Sequence, residues 1–112
     1  MSDLSDYRIQ TVLTRVIEII DNENNNLKSN IPFDISASND HKGRCLHELS
    51  ILLSSLGEDI SSDHLEQIRS LHKKLSLNAY LLESYLSAAR VVADLFKRKL
   101  QDIDADGTYS KG

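Results

Sequence analysis

The sequence predicts an all-α fold: an elongated antiparallel three-helix bundle or coiled coil with one long C-terminal helix and a short flexible tail. Glycine (4) and proline (1) are scarce among the 112 residues, whereas a β-rich fold of this size needs many turns. Aromatic residues make up 5% and tryptophan is absent, so the apolar residues are mostly Leu, Ile, Val and Ala, which suits helix packing. The length is that of one domain, which we place at residues 1–112.

The first helix is predicted at about residues 4–30. Its apolar residues recur at steps of three, four or seven and mark one helical face, formed by Ile9, Leu13, Val16, Ile20 and Leu27. The asparagine-rich run 22–26 favours helix poorly and is expected near a solvated end. Pro32 then predicts a break, and the connection that contains it spans about ten residues.

The second helix is predicted at about residues 39–56. Ser38 and Asn39 are both good helix caps, and either could begin it. Leucines at helical spacing follow, at positions 46, 49, 52, 53 and 56. Gly57 lies where a glycine in a left-handed conformation commonly ends a helix.

The third helix is predicted at about residues 63–104, followed by the tail 105–112. Asp63 and Glu66 have the spacing of a capping box at its start. Apolar residues then alternate steps of four and three in a heptad seam made of Leu75, Ala79, Leu82, Leu86, Ala89, Ala93, Phe96, Leu100 and Ile103. A helix of about 40 residues would be about 60 Å long, so we expect an elongated molecule.

This third helix carries more apolar surface than two shorter helices can cover. Between Tyr80 and Phe96 the only charged residues are Glu83, Arg90 and Asp94, which lie near one narrow stripe, and Arg90 can pair with Asp94. We therefore expect an exposed apolar groove that accepts another helix. The alternative is a surface that the first two helices cover completely.

Net charge and cysteine content limit the partners and the cellular compartment that we expect. The net charge of −4 and pI near 5.5 disfavour nucleic-acid binding, which needs a basic face. A single cysteine, Cys45, fits a reducing compartment. The first ten residues do not resemble a signal peptide, and no stretch approaches the 18 or more apolar residues of a membrane span. We expect a cytoplasmic bacterial protein.

Two motifs imitate functional sites without completing them. Asp102, Asp104, Asp106 and Gly107 match the opening of a calcium-binding EF-hand loop, but the bidentate Glu at the twelfth position is not supplied. His41 precedes a Lys-Gly pair, as in phosphotransfer domains, but there the histidine stands three residues before the lysine. We expect neither activity.

No other group of residues in the sequence predicts a catalytic, metal-binding or phosphate-binding site. The four histidines and Cys45 do not assemble the closed ligand set of a zinc site, and no nucleophile arrangement or glycine-rich phosphate loop is visible. The basic run Lys97-Arg98-Lys99 is flanked by acidic residues and is interpreted as a solvated face. We expect no catalytic residues, no metal and no cofactor, and hence a protein that is not an enzyme.

Taken together, the three helices and the tail resemble the FlgN-type flagellar export chaperones. The first helix carries Ile19-Ile20-x-x-Glu23-x-x-x-Leu27, which is similar to the family's signature there. Further matches are Lys42 with Leu46, Glu48 and Leu49 in the second helix, Asn78 with Leu81 and Leu82 in the third, and the tail Gly107-Thr108-Tyr109-Ser110-Lys111-Gly112. The similarity runs from about residue 9 to the end. Ser110 departs from it, since many members have glycine there.

The resemblance implies an ATP-independent chaperone of flagellar type III export. Such proteins bind the C-terminal helical segment of the hook–filament junction proteins, hook-associated proteins 1 and 3, and deliver them to the export gate and its ATPase. On this basis we expect a partner-binding surface formed by Leu82, Leu86, Ala89, Val92, Ala93, Phe96, Leu100, Ile103 and Tyr109.

Alternative functions stay open at this point. A long heptad helix with two shorter ones also suits a self-associating coiled-coil adaptor without a client, which would be an obligate dimer or larger. A homodimer of the chaperone and a chaperone for another secretion system are further alternatives.

Overall fold

The computed structural model describes residues 2–57 and 59–110, with side chains for residues 4, 6–57 and 59–106. These residues form three helices and no strand: α1 (Ser2–Lys28), α2 (Ile35–Leu56) and α3 (Ser62–Ser110). The predicted all-α class with a long C-terminal helix is confirmed. The chain divides into a first unit, Met1–Leu81, and a second unit, Leu82–Gly112, which we describe in turn.

The predicted face of α1 forms the core of the first unit. Ile9, Leu13, Val16 and Ile20 are completely buried there. Their spacing keeps them on one side of the helix, so that each side chain leaves water together with its neighbours. The partners from the other helices are Cys45 and Leu49 of α2 and Leu71 of α3.

The end of α1 corrects one expectation from the sequence. The run 22–26 is helical, and Glu23 and Asn24 within it are buried rather than solvated. The helix stops in a Schellman motif, in which the Ile31 amide donates to the Asn26 carbonyl at 2.9 Å and Asn30 has a positive φ of 56°. Asparagine tolerates this left-handed conformation better than most residues, so it ends the helix just before Pro32.

α2 begins four residues before its predicted start, because a different residue caps it. The Asp34 carboxylate accepts a hydrogen bond from the Ala37 amide at 3.0 Å, as an N-cap residue does. At the other end Gly57 has φ 61° and ψ −118°, a positive-φ conformation that glycine adopts without steric cost. The predicted end of this helix is confirmed.

The three helices run up, down and up in the first unit. Glu23 near the end of α1 contacts Ser38 and Lys42 near the start of α2, which makes these two helices antiparallel. α3 runs parallel to α1, because Thr14 and Gln67 line one surface depression and Asn24 further along meets Lys74.

α3 is longer at both ends than predicted. The Ser61 hydroxyl accepts from the His64 amide at 3.2 Å, so the cap is Ser61 rather than Asp63. At its C-terminal end the helix continues to Ser110, so most of the stretch 105–112, which we expected to be a flexible tail, is helical. The second unit is the later part of this helix, and every residue from Glu83 to Asp106 in it is exposed.

Candidate functional site

Five polar side chains from all three helices meet inside the first unit. We call Glu23, Asn24, Ser38, Lys42 and Asn78 the buried polar cluster. Glu23 and Asn78 are each 2% exposed and Lys42 is 7% exposed, so two opposite charges lie almost fully out of water. Such charges persist in an interior only when they are paired and hydrogen-bonded.

Lys42 lies at the centre of this cluster. Its Nζ donates to Glu23 Oε1 at 2.8 Å and to Asn78 Oδ1 at 2.7 Å, which ties α2 to both other helices. The second carboxylate oxygen of Glu23 accepts a short hydrogen bond from the Ser38 hydroxyl. One salt bridge therefore joins the three helices at a single point.

Asn78 completes the network through both ends of its amide. Its Nδ2 donates to Glu23 Oε1 at 3.0 Å and to Asn24 Oδ1 at 2.8 Å, while its Oδ1 accepts from Lys42. Since Lys42 can only donate, this arrangement sets which way the amide points. Asn24 in turn donates to the Lys74 carbonyl oxygen at 3.3 Å. These hydrogen bonds set the register between the helices. They leave no nucleophile of the cluster free.

The pKa of Glu23 lies below its ordinary value of 4.5. Burial by itself would raise this pKa, because desolvation disfavours the carboxylate. The hydrogen bonds from Lys42, Ser38 and Asn78, together with the Lys42 charge, outweigh that effect and lower it. Glu23 is therefore ionised at neutral pH.

A second ion pair lies at the rim of the first unit. Lys74 Nζ is 2.7 Å from Asp21 Oδ1, and the two side chains are 35% and 43% exposed. Exposed pairs of this kind contribute about 0–1 kcal/mol, because water and salt screen them. This pair is a useful reference for the buried one.

A second candidate site lies on the second unit. Eight of the nine residues predicted to bind a partner have described side chains, and we call them the 82–103 face: Leu82, Leu86, Ala89, Val92, Ala93, Phe96, Leu100 and Ile103. Leu82 is half-buried and the other seven are exposed, with Phe96 at 65% and Leu100 at 59%. Large apolar side chains that are exposed together mark interaction surfaces. The ninth residue, Tyr109, has its side chain outside the described part of the structure.

The shape of this surface can be described within the second unit. Within the second unit the described residues form a single helix, so the apolar surface is a convex helix face. The expected pairing of Arg90 with Asp94 is also replaced. The Arg90 guanidinium instead lies 3.5 Å from Glu83 Oε1, with both side chains about two-thirds exposed. A pair so exposed and so long contributes little to stability.

The other residues considered for catalysis or metal binding do not come together in one site. Cys45 is buried in the hydrophobic core. His64 is also buried, and its Nδ1 has no hydrogen-bond partner. Among the described residues no group of three or more His, Cys, Asp or Glu side chains is placed to hold a metal ion.

The buried polar cluster was not predicted as a site, although three of its residues, Glu23, Lys42 and Asn78, carry the resemblance noted above. A signal for it was present in the helical spacing. Glu23 follows Ile20 by three residues, Lys42 precedes Cys45 by three, and Asn78 follows Leu75 by three, so each lies on an apolar stripe. A polar residue at such a position predicts a buried, paired group.

Comparison with known proteins returned no match to this chain from family models, curated sequences or solved structures. None of the helices, within the residues described, is long and apolar enough to cross a membrane.

Proposed function

We propose that this protein is a bacterial cytoplasmic chaperone of flagellar type III export that binds a helical segment of its client on the 82–103 face. One observation carries the proposal: a helix with large apolar side chains exposed along its length and, within its own unit, no described partner. A soluble monomer rarely exposes a contiguous apolar surface of this kind unless a partner covers it.

The buried polar cluster supports the same assignment. Glu23, Lys42 and Asn78 come from three separate parts of the sequence, and each stands in a segment that resembles the FlgN-type chaperones. In the structure they form one hydrogen-bonded group. The proposed family membership thus has a physical interpretation, because these residues would set the helix register on which the rest of the fold depends.

The face suits transient binding. A client segment that is disordered alone can fold as an amphipathic helix on an apolar surface. Ordering that segment costs about 2–5 kcal/mol, which keeps the affinity moderate and permits release to the export gate and its ATPase. Covering the apolar side of the client would also prevent its premature assembly.

Calorimetric titration tests this proposal. The purified full chain is titrated with C-terminal fragments of hook-associated proteins 1 and 3 from the same organism. We expect saturable binding to at least one fragment, with a negative heat-capacity change from apolar burial. Absence of binding to both fragments by a folded sample would refute the flagellar assignment.

The heptad seam supports a second candidate, a self-associating adaptor. Leu86, Phe96 and Leu100 are seam residues that another copy could cover as well as a client could. Sedimentation analysis distinguishes the two functions. The adaptor requires an obligate dimer or larger species at low micromolar concentration, whereas the chaperone does not.

A further inference from the structure

The apolar surface of the second unit is wider than one helix can cover. Successive residues of an α-helix are turned by about 100° around its axis. In the segment 82–96 the apolar side chains occupy an arc of about 220° around the axis, running from Leu86 through Phe96 and Val92 to Leu95 and Val91. Ser84 is the one polar residue within that arc.

The remaining polar residues of the segment form a single strip. Glu83, Ser87, Arg90 and Asp94 follow one another at steps of four, three and four residues, which aligns them along one side. All four are exposed. When the partner is bound, only this polar strip therefore has to stay exposed to water.

The first unit shows how many helices such a surface requires. The α3 side chains that are covered there occupy an arc of about 160° around the axis, running from Ser70 through Lys74, Asn78 and Leu71 to Ile68. Two helices, α1 and α2, cover them. Covering an arc of about 220° therefore needs at least two helices.

We infer that the segment 82–96 is bound by two helices of one partner chain, a helical hairpin, and not by a single helix. This inference rests on the proposed function and specifies the form of its client. A second copy of this protein fits less well, because its exposed helix would cover one side only and leave the other in water.

The two helices need not be equally long. Beyond Phe96 the arc narrows, because Lys99 and Asp102 interrupt it and leave Leu100 and Ile103 as its apolar residues. One partner helix then continues to Ile103 while the other ends near residues 97–99. That run of three cations favours acidic side chains, or a helix C-terminus, at the end of the shorter helix.

Leu86 and Leu95 provide a direct test. They are nine residues apart, so they lie about 180° from each other around the axis. Their side chains are 41% and 53% exposed. A single bound helix can contact one of them, whereas a hairpin contacts both.

The experiment compares Leu86→Arg, Leu95→Arg and the matched control Ser87→Arg, which falls in the polar strip. Calorimetry measures binding of each full-length variant to the C-terminal fragments of the two hook–filament junction proteins. Circular dichroism verifies that helix content is retained, and Leu95→Gln and Leu86→Gln replace any variant that loses it. We expect both leucine variants to weaken binding at least tenfold and the control to change it less than threefold.

Each other outcome is decisive. Loss of affinity in only one leucine variant overturns the hairpin and leaves the proposed function intact. No binding by the unmodified protein overturns the proposed function and the hairpin with it. A stable oligomer of the free protein that Leu86→Arg or Leu95→Arg dissociates, without client binding, assigns the surface to further copies of this chain and also overturns the hairpin.

Discussion

Lys42 and Lys74 form two ion pairs of similar length in very different surroundings. The Lys42–Glu23 pair is buried, and the Lys74–Asp21 pair is about one-third to two-fifths exposed. Removing one member of a buried pair strands the other charge in the interior, whereas an exposed charge that loses its partner is solvated. The two lysines therefore make a matched comparison.

We predict that Lys42→Met lowers the free energy of unfolding by about 3–5 kcal/mol, while Lys74→Met lowers it by about 1 kcal/mol or less. Urea denaturation followed by circular dichroism measures both values. The double variant Glu23→Leu with Lys42→Met should recover part of the loss, because neither charge is then left unpaired. Equal effects of the two single lysine substitutions would contradict the role given to the buried pair.

Glu23 also predicts how stability depends on pH. Its pKa is lower in the folded chain than the ordinary value of 4.5, so the unfolded chain binds more protons between those two values. The stabilisation is complete above about pH 5 and is lost as the pH falls through the folded pKa. We expect wild type to lose more stability between pH 5 and pH 3 than Glu23→Gln does, measured by urea denaturation. Parallel pH profiles would refute this assignment.

At the scale of the element, the start of α2 depends on one side chain. The Asp34 carboxylate accepts a hydrogen bond from the Ala37 amide at 3.0 Å. Asp34→Ala should destabilise the protein by about 1 kcal/mol, the usual cost of losing an N-cap. Asp40→Ala, at an exposed position inside the same helix, should change stability by about 0.5 kcal/mol or less. Thermal unfolding distinguishes the two.

The exposed part of α3 predicts a separation between binding and stability. Phe96 is 65% exposed, so Phe96→Asp removes little buried surface and should leave the unfolding transition unchanged within about 0.5 kcal/mol. The same substitution places a charge in the proposed interface and should weaken client binding at least tenfold. Calorimetry and circular dichroism on the same sample measure both. Unchanged affinity in a folded variant would remove Phe96 from the interface.

At the scale of the whole molecule, the two units should differ in local stability. The first unit has a core of completely buried side chains, whereas every residue from Glu83 to Asp106 is exposed. A helix without tertiary contacts opens readily, because most helical stability in proteins comes from packing. Hydrogen exchange should therefore be much faster at residues 83–106 than at 9–20 in the free protein.

Client binding should reduce this difference in hydrogen-exchange rate. Covering the apolar arc replaces water with partner side chains, so amides in 83–106 should become protected while those in 9–20 change little. Hydrogen-exchange mass spectrometry, with and without the client fragment, measures this directly. Strong protection of 83–106 in the free monomer would contradict the description of this segment as an uncovered helix.

Much of the fold could be predicted from particular residues. The face formed by Ile9, Leu13, Val16 and Ile20 was expected from spacing and is completely buried. Gly57 ends α2 at the predicted position, with a positive φ but with ψ −118° in place of the left-handed helical value. The helix starts were less accurate, because Asp34, Ser38, Asn39, Ser61 and Asp63 are all acceptable caps and local preference does not choose among them.

The helical class, the apolar stripes and the surplus of apolar surface on the last helix could all be inferred from the sequence, because they follow from periodicity along one chain. The meeting of Glu23, Lys42 and Asn78 became visible only in the folded structure, since the register between helices depends on how distant side chains pack. The structure also showed that Glu23 and Asn24 are buried, although their asparagine-rich segment was expected near a solvated end. Whether a polar side chain is buried depends on the partners that the assembled fold brings to it, and local sequence does not encode those partners.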